Sequence, residues 1–244
     1  MVFKQCQRYQ KLWWRAGLGL LLAGVLGSAG LEPAAAQEDV EVINITIRPD
    51  PSLQAVIQAR EAMQRKRWDE LEALVPQASQ APLLGSYAEY WLLRRDLTNP
   101  ATPVPTQRLE RFMITNEDAY LADRIRSDWI VAAARSGDYA KAVELAPVVA
   151  SNSQVDCAVL LSRHMLGERV NGQVAVDLFE PVSLCWMMLD ELVDKNIVGW
   201  KQLETMLRAT LETSKTGNAR RLAALMFDAG QMKSYAAFMK NPRQ

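Results

Sequence analysis

The stretch Ser127–Pro147, "SDWIVAAARSGDYAKAVELAP", decides the fold class. Trp129, Ile130, Ala133 and Ala134 fall at i, i+1, i+4 and i+5, on one face of a 3.6-residue helix. Arg135 and Ser136 close that apolar run, and Gly137 can take the left-handed conformation in which many helices end. Asp138 can then accept hydrogen bonds from the free backbone donors of a second helix. In that helix Tyr139, Ala142, Val143 and Ala146 repeat the i, i+3, i+4, i+7 spacing, until Pro147 stops or kinks the chain. Small residues on both stripes let the two helices pack closely. A helical hairpin of this size rarely buries its apolar face alone, so it is expected to be one tile in a stack of similar tiles.

The same helical spacing runs outward in both directions. "SLQAVIQAREAMQRKRWDELEALVPQ" gives a helix, a break near Arg67 and a second helix ending before Pro76. "PLLGSYAEYWLLRRDL" gives the next, with Tyr87, Tyr90, Trp91 and Leu83 on its apolar side. Three prolines make "TNPATPVPT" an extended connection before "TQRLERFMIT" restarts the pattern. Helical segments follow to the end of the chain, and no run alternates apolar and polar residues after Pro51. A rough internal repeat supports stacking. "SGDYAKAVEL", "NGQVAVDLF" and "TGNARRLAAL" each place a glycine and a polar cap before an apolar helix, which makes Gly137, Gly172 and Gly217 equivalent turn residues. The expected fold is all-α, a curved superhelical array of helical hairpins over residues 51–244, in the manner of a TPR-like α-solenoid.

The 244 residues are about half apolar, enough for one sizeable core or a row of small ones. Lys4, Arg8, Lys11 and Arg15 precede the uncharged run "AGLGLLLAGVLGSAG" and then "PAAAQED", the order of a cleavable signal peptide over residues 1–36. The apolar run is shorter than a spanning helix needs, so no stable membrane anchor is expected after cleavage. Residues 37–50 read as a flexible leader, and the exported chain is placed in the periplasm. Of 28 basic and 28 acidic side chains the signal removes four and one, leaving 24 and 27. That slight excess of acid gives no case for nucleic acid, which normally needs a concentrated basic face. With Cys6 gone, Cys157 and Cys185 are the only cysteines in an oxidising compartment, and a disulfide between them is expected; two buried free thiols are the alternative.

A search for chemistry finds no catalytic, metal-binding or cofactor-binding set. His164 is the only histidine and stands at a helix end, and no Gly-rich phosphate loop, G-x-S-x-G or H-E-x-x-H is present. Asp190, Glu191 and Asp194 share a helix and read as a solvated face. Trp68, Trp91, Trp129, Trp186 and Trp200 are able to stack on sugar rings, but each fits a helical apolar pattern or a helix edge and is assigned to packing, as are Met187 and Met188.

At this point "APLLGSYAEYWLLRRDL" resembles a segment near the N-terminus of the soluble lytic murein transglycosylases, with Pro82, Leu83, Tyr87, Glu89 and Tyr90 holding the places of that family's Pro-Leu pair and tyrosine helix. Further features arrive in family order. Phe112 follows the proline-rich connection, Arg126 precedes Trp129, and Gly137-Asp138 marks a hairpin turn. Cys157 matches the first cysteine of the family's U-shaped superhelical domain; Gly167, Leu178-Phe179 and Pro181 lead to Cys185, which looks like its disulfide partner. Trp200 and Gly217-Asn218 complete the order, so the resemblance covers about residues 65–240. It implies a noncatalytic superhelical portion, part of a U or ring, that helps hold an enzyme on peptidoglycan glycan strands. The family cleaves the β-1,4 bond between N-acetylmuramic acid and N-acetylglucosamine to a 1,6-anhydro product in a separate domain carrying Glu-Ser and Gly-Leu-Met-Gln; neither motif occurs here. "YAAFMKNPRQ" carries Tyr235, Phe238 and Met239 with nothing to cover them, so the superhelical domain is expected to be cut short at its C-terminus. The other reading is a free-standing periplasmic helical-repeat adaptor that binds protein partners in its concave face.

Overall fold

The hairpin at Gly137 is one of three built on the same backbone turn. A computed structural model of the protein describes residues 50–116 and 120–241. In it α5 (Tyr120–Ser136) ends at Gly137, with φ +85°, and Asp138 opens α6 (Tyr139–Glu144) by accepting from the Lys141 N–H. The Gly137 N–H donates to the Ala134 carbonyl and the Asp138 N–H to Ala133, the paired bonds that close a helix through a left-handed residue. Between α1 (Pro51–Gln64) and α2 (Trp68–Ala78) the left-handed residue is Lys66, φ +57°, with Lys66 bonded to Met63 and Arg67 to Ala62. Between α10 (Trp200–Glu212) and α11 (Thr216–Met226) it is Ser214, φ +57°, with Ser214 bonded to Leu211 and Lys215 to Thr210. The residue that starts the next helix has nearly the same conformation in all three: Arg67 at φ −86°, ψ 77°, Asp138 at −82°, 67°, and Lys215 at −83°, 67°.

Gly172 and Gly217 are not turn residues, which corrects the repeat read from the sequence. Both lie in the first turn of a helix, α8 (Gly172–Leu178) and α11, and neither has positive φ. The left-handed position was legible only where it happened to be glycine. Gly167 (φ +90°) and Asn196 (φ +56°) close α7 (Ser153–Met165) and α9 (Ser183–Asp194) with the same paired bonds, but a longer link follows before the next helix.

The described residues are all-helical, with α3 (Ser86–Thr98), α4 (Thr106–Thr115) and α12 (Ala229–Lys240) completing twelve helices. Packing runs mostly between helices close in sequence: α1 on α2, both on α3, α3 on α5, α5 and α6 on α7, α7 on α9, α10 on α11. Helix α3 is shared by two cores. Its Ala88 and Leu92 join Ala55, Ala59, Ala62 and Leu71, while Tyr90, Leu93 and Leu97 enter a larger core that runs on through Trp129, Ile130, Leu161, Leu189 and Leu222. Around α3 the "RRD" segment is a brace. Arg95 Nε donates to the buried Asp96 carboxylate at 2.7 Å, Arg108 stands 3.7 Å from its other oxygen, and Arg135 of α5 donates to the Leu97 carbonyl at 2.6 Å.

Other expectations are corrected by the packing. Pro76 lies inside α2, which runs on to Ala78 because that alanine is fully buried and because a proline near a helix end costs only one local backbone bond. Leu83 is off the apolar side, 99% exposed in a left-handed conformation (φ +63°) within the turn that leads into α3. The signal peptide, the leader as far as residue 49 and the last three residues lie outside the described residues; Asp50, assigned to the leader, caps α1 by accepting from Ser52. No described helix is long and apolar enough to cross a membrane.

Candidate functional site

Cys157 and Cys185, expected as a pair, stand at disulfide distance with Cα atoms 5.0 Å apart and both side chains fully buried. They tie α7 to α9. The same two helices are joined at their N-terminal ends, where the Gln154 side-chain oxygen accepts from the Ser183 hydroxyl and the Leu184 N–H. This is scaffold, and the side chains available to a ligand lie beyond it.

Burial sorts the tryptophans. Trp129 and Trp186 are core residues, and Trp68 and Trp91 are half-buried. Trp200 is 52% exposed, which corrects its assignment to packing. It is the first residue of α10 and follows Gly199, whose N–H donates to the Gln202 side chain. Its ring meets Phe227 with centroids 5.7 Å apart, and Phe227 meets Tyr235 of α12 at 6.1 Å. Met187 is likewise exposed on α9, whereas Met188 beside it is fully buried. The acidic face of α9 is paired, not free: Asp190 binds Arg221 at 3.0 Å, and Glu191 lies near Lys195 and His164.

The aromatic row runs to an open cavity of about 590 Å³ between α11 and α12. Met232, Tyr235, Ala236 and Met239 give it an apolar wall, and Thr216, Gly217, Arg220 and Lys233 supply the polar one. Neither Arg220 nor Lys233 has an acidic partner among the described residues, in contrast to Arg221 next to them, which pairs with Asp190 and lies 4.2 Å from the Trp186 ring centroid. The cavity persists because α12 packs on α11 without one buried residue of its own. Its start is fixed by Asp228 and Gln231, each accepting from the other's backbone N–H at 2.8 and 3.0 Å. Burial pushes the Tyr235 phenol above its ordinary value, and its enclosed hydroxyl has no hydrogen-bond partner among the described residues.

Helix α11 begins at the cavity without a side-chain cap, since Lys215 cannot accept. The Gly217 and Asn218 N–H groups have no acceptor among the described residues, and a side chain at Gly217 would meet open space. Two free cations, an uncapped helix start and a thioether-aromatic wall suit an organic anion with an apolar body. Among the described residues no group of three or more His, Cys, Asp or Glu side chains is placed to share a metal ion. The sequence does not mark these two cations out: Arg221 likewise has no acidic residue three or four positions away on its helix, yet it pairs with Asp190 of α9.

Comparison of the chain with protein-family models, curated proteins and solved structures finds no match in any of the three. The resemblance to lytic transglycosylases rests on the order of residues quoted above.

Proposed function

We propose that the protein is a noncatalytic, periplasmic α-helical module that holds peptidoglycan glycan strands, equivalent to the N-terminal superhelical portion of a lytic transglycosylase. Exported by its signal peptide, it contributes an arc of stacked hairpins to a curved binding surface. The observation that carries this reading is the row Trp200, Phe227 and Tyr235 leading to a cavity with two cations that have no acidic partner among the described residues. Pyranose rings present C–H faces that pack on exposed aromatic rings, and peptidoglycan also bears carboxylates that Arg220 and Lys233 are suited to meet. The quoted order of residues and the cysteine pair at disulfide distance support the family reading.

The test is co-sedimentation of the full chain with purified sacculi. Wild type pellets with them, and Trp200→Ala, on an exposed position, weakens retention by about tenfold. The sacculi release no 1,6-anhydro-muropeptides. Wild-type protein left in the supernatant at low salt would overturn the reading in favour of a helical-repeat adaptor that binds protein partners.

A further inference from the structure

We infer that the α11–α12 cavity is a carboxylate-reading subsite, in which Arg220, Lys233 and the open N-terminus of α11 hold the acidic groups of a muramyl peptide while Met232, Tyr235 and Met239 cover its apolar parts. The inference rests on the peptidoglycan reading above and adds to it a choice between the two sugars of the strand. N-acetylglucosamine is neutral; N-acetylmuramic acid bears a lactyl group whose carboxyl, or the peptide joined to it, supplies both negative charge and methyl groups.

Three features converge on an anion. Arg220 lies one helical turn after the two N–H groups of Gly217 and Asn218 that lack acceptors, so guanidinium and helix start serve one end of the cavity. Lys233 supplies a second positive charge from the facing helix. Neither cation is neutralised within the described residues, a state they share with Lys201, Lys215 and Lys240 but not with Arg221. Gly217 leaves the floor free of a side chain, with nothing within 4 Å of the place a Cβ would take. The volume is in the range of small-ligand pockets, about 300–1,000 Å³, and matches a sugar with a short peptide better than a single ion. The apolar wall gives the reason for a carboxylate on a stem: inorganic phosphate would satisfy the cations and leave the methionine and tyrosine surface wet.

The experiment is calorimetric titration of the full chain with muramyl dipeptide, which carries one free carboxylate, and with chitobiose, which carries none. Muramyl dipeptide binds at least about tenfold more tightly, and Arg220→Gln and Lys233→Gln each weaken it by about tenfold without changing chitobiose binding. Gly217→Glu serves as the second variant. A carboxylate in the first turn of α11 favours the helix, so thermal stability is kept, while the same charge fills and repels the site and muramyl dipeptide binding is lost. Equal affinity for the two ligands, or affinity for muramyl dipeptide that ignores all three substitutions, overturns the inference. If sacculi retain the protein but muramyl dipeptide does not bind, the subsite falls and the glycan reading stands. If muramyl dipeptide binds through Arg220 but sacculi do not retain the protein, the glycan reading falls and the cavity remains a site for acidic ligands.

Discussion

Helices α7–α9 and α10–α12 are made of similar residues and packed to very different depths. Helix α9 buries Leu184, Cys185, Trp186, Met188, Leu189 and Leu192, and α7 buries five residues, among them Cys157. Helix α10 buries only Leu203 and Leu207, α11 three residues and α12 none. The first region uses its aromatic and sulfur-containing side chains to make a scaffold, with Trp186 enclosed by Phe179 and Arg221. The second leaves Trp200 half-exposed, and Arg220 and Lys233 without an acidic partner among the described residues. The groups proposed to bind thus sit where local packing is thinnest, next to an element that holds its shape.

The disulfide gives the largest expected effect on this contrast. Closing 28 residues of chain stabilises the fold by about 3 kcal/mol. Cys157→Ala with Cys185→Ala lowers the thermal midpoint markedly, and hydrogen exchange then shows α7–α9 losing its protection advantage over α10–α12. An unchanged exchange pattern would mean that apolar burial alone sets the difference.

Gly172 is next. A Cβ there would run into the Ile197 backbone carbonyl, and backbone has little room to yield. Gly172→Ala should cost about 2 kcal/mol in denaturant unfolding, whereas Gly217→Ala, into open space at a helical position, is neutral or stabilising by about 0.5–1 kcal/mol. Equal effects of the two would refute the distinction drawn between the glycines.

The shared turn allows a smaller and more exact comparison. Gly137, between α5 and α6, and Ser214, in the thin part, occupy the same left-handed turn. Gly137→Ser should destabilise by about 1 kcal/mol and Ser214→Gly should stabilise by a similar amount, as urea unfolding would show. Opposite signs would mean that side-chain contacts outweigh backbone strain at these positions.

The smallest effect is a pH dependence at Asp128. Desolvation raises its pKa against the opposing pull of Arg94 and Arg124, and Arg94 Nε stands 3.3 Å from an oxygen that still lacks a well-directed hydrogen bond. A carboxyl whose folded value is raised is penalised when ionised, so its contribution worsens as pH rises from its ordinary value of 3.8 through the folded one. Asp128→Asn should therefore raise the thermal midpoint at neutral pH, with the gain shrinking as pH falls through the raised folded value and gone below the ordinary one. A gain that grows on acidification would reverse the assignment.

Several local features are legible in the order of residues alone. The hairpin at Gly137 carries its own turn residue and its own cap, and the two cysteines have no other partner once Cys6 is assigned to the signal. The turns at Lys66 and Ser214 are hidden because neither residue favours the left-handed region. They adopt it because paired backbone bonds and the helices on either side compensate a strain of about 1–2 kcal/mol. The acidic residues of α9 do form a solvated face, but their pairing with cations from other positions in the chain, Arg221 above all, is not legible in the sequence.

By itself the sequence determined that the described chain is helical and where most of the apolar stripes lie, and it left the two cysteines as a disulfide or two buried thiols, since these follow from spacing within a few turns and from counting. The tertiary structure alone decided which glycines are indispensable, which tryptophan faces water and which cations are left without partners. Each of those depends on an atom supplied by a distant residue: the Ile197 carbonyl at Gly172, or Asp190 beside Arg221 with no counterpart beside Arg220. Helical periodicity specifies a face, and only packing specifies what that face meets.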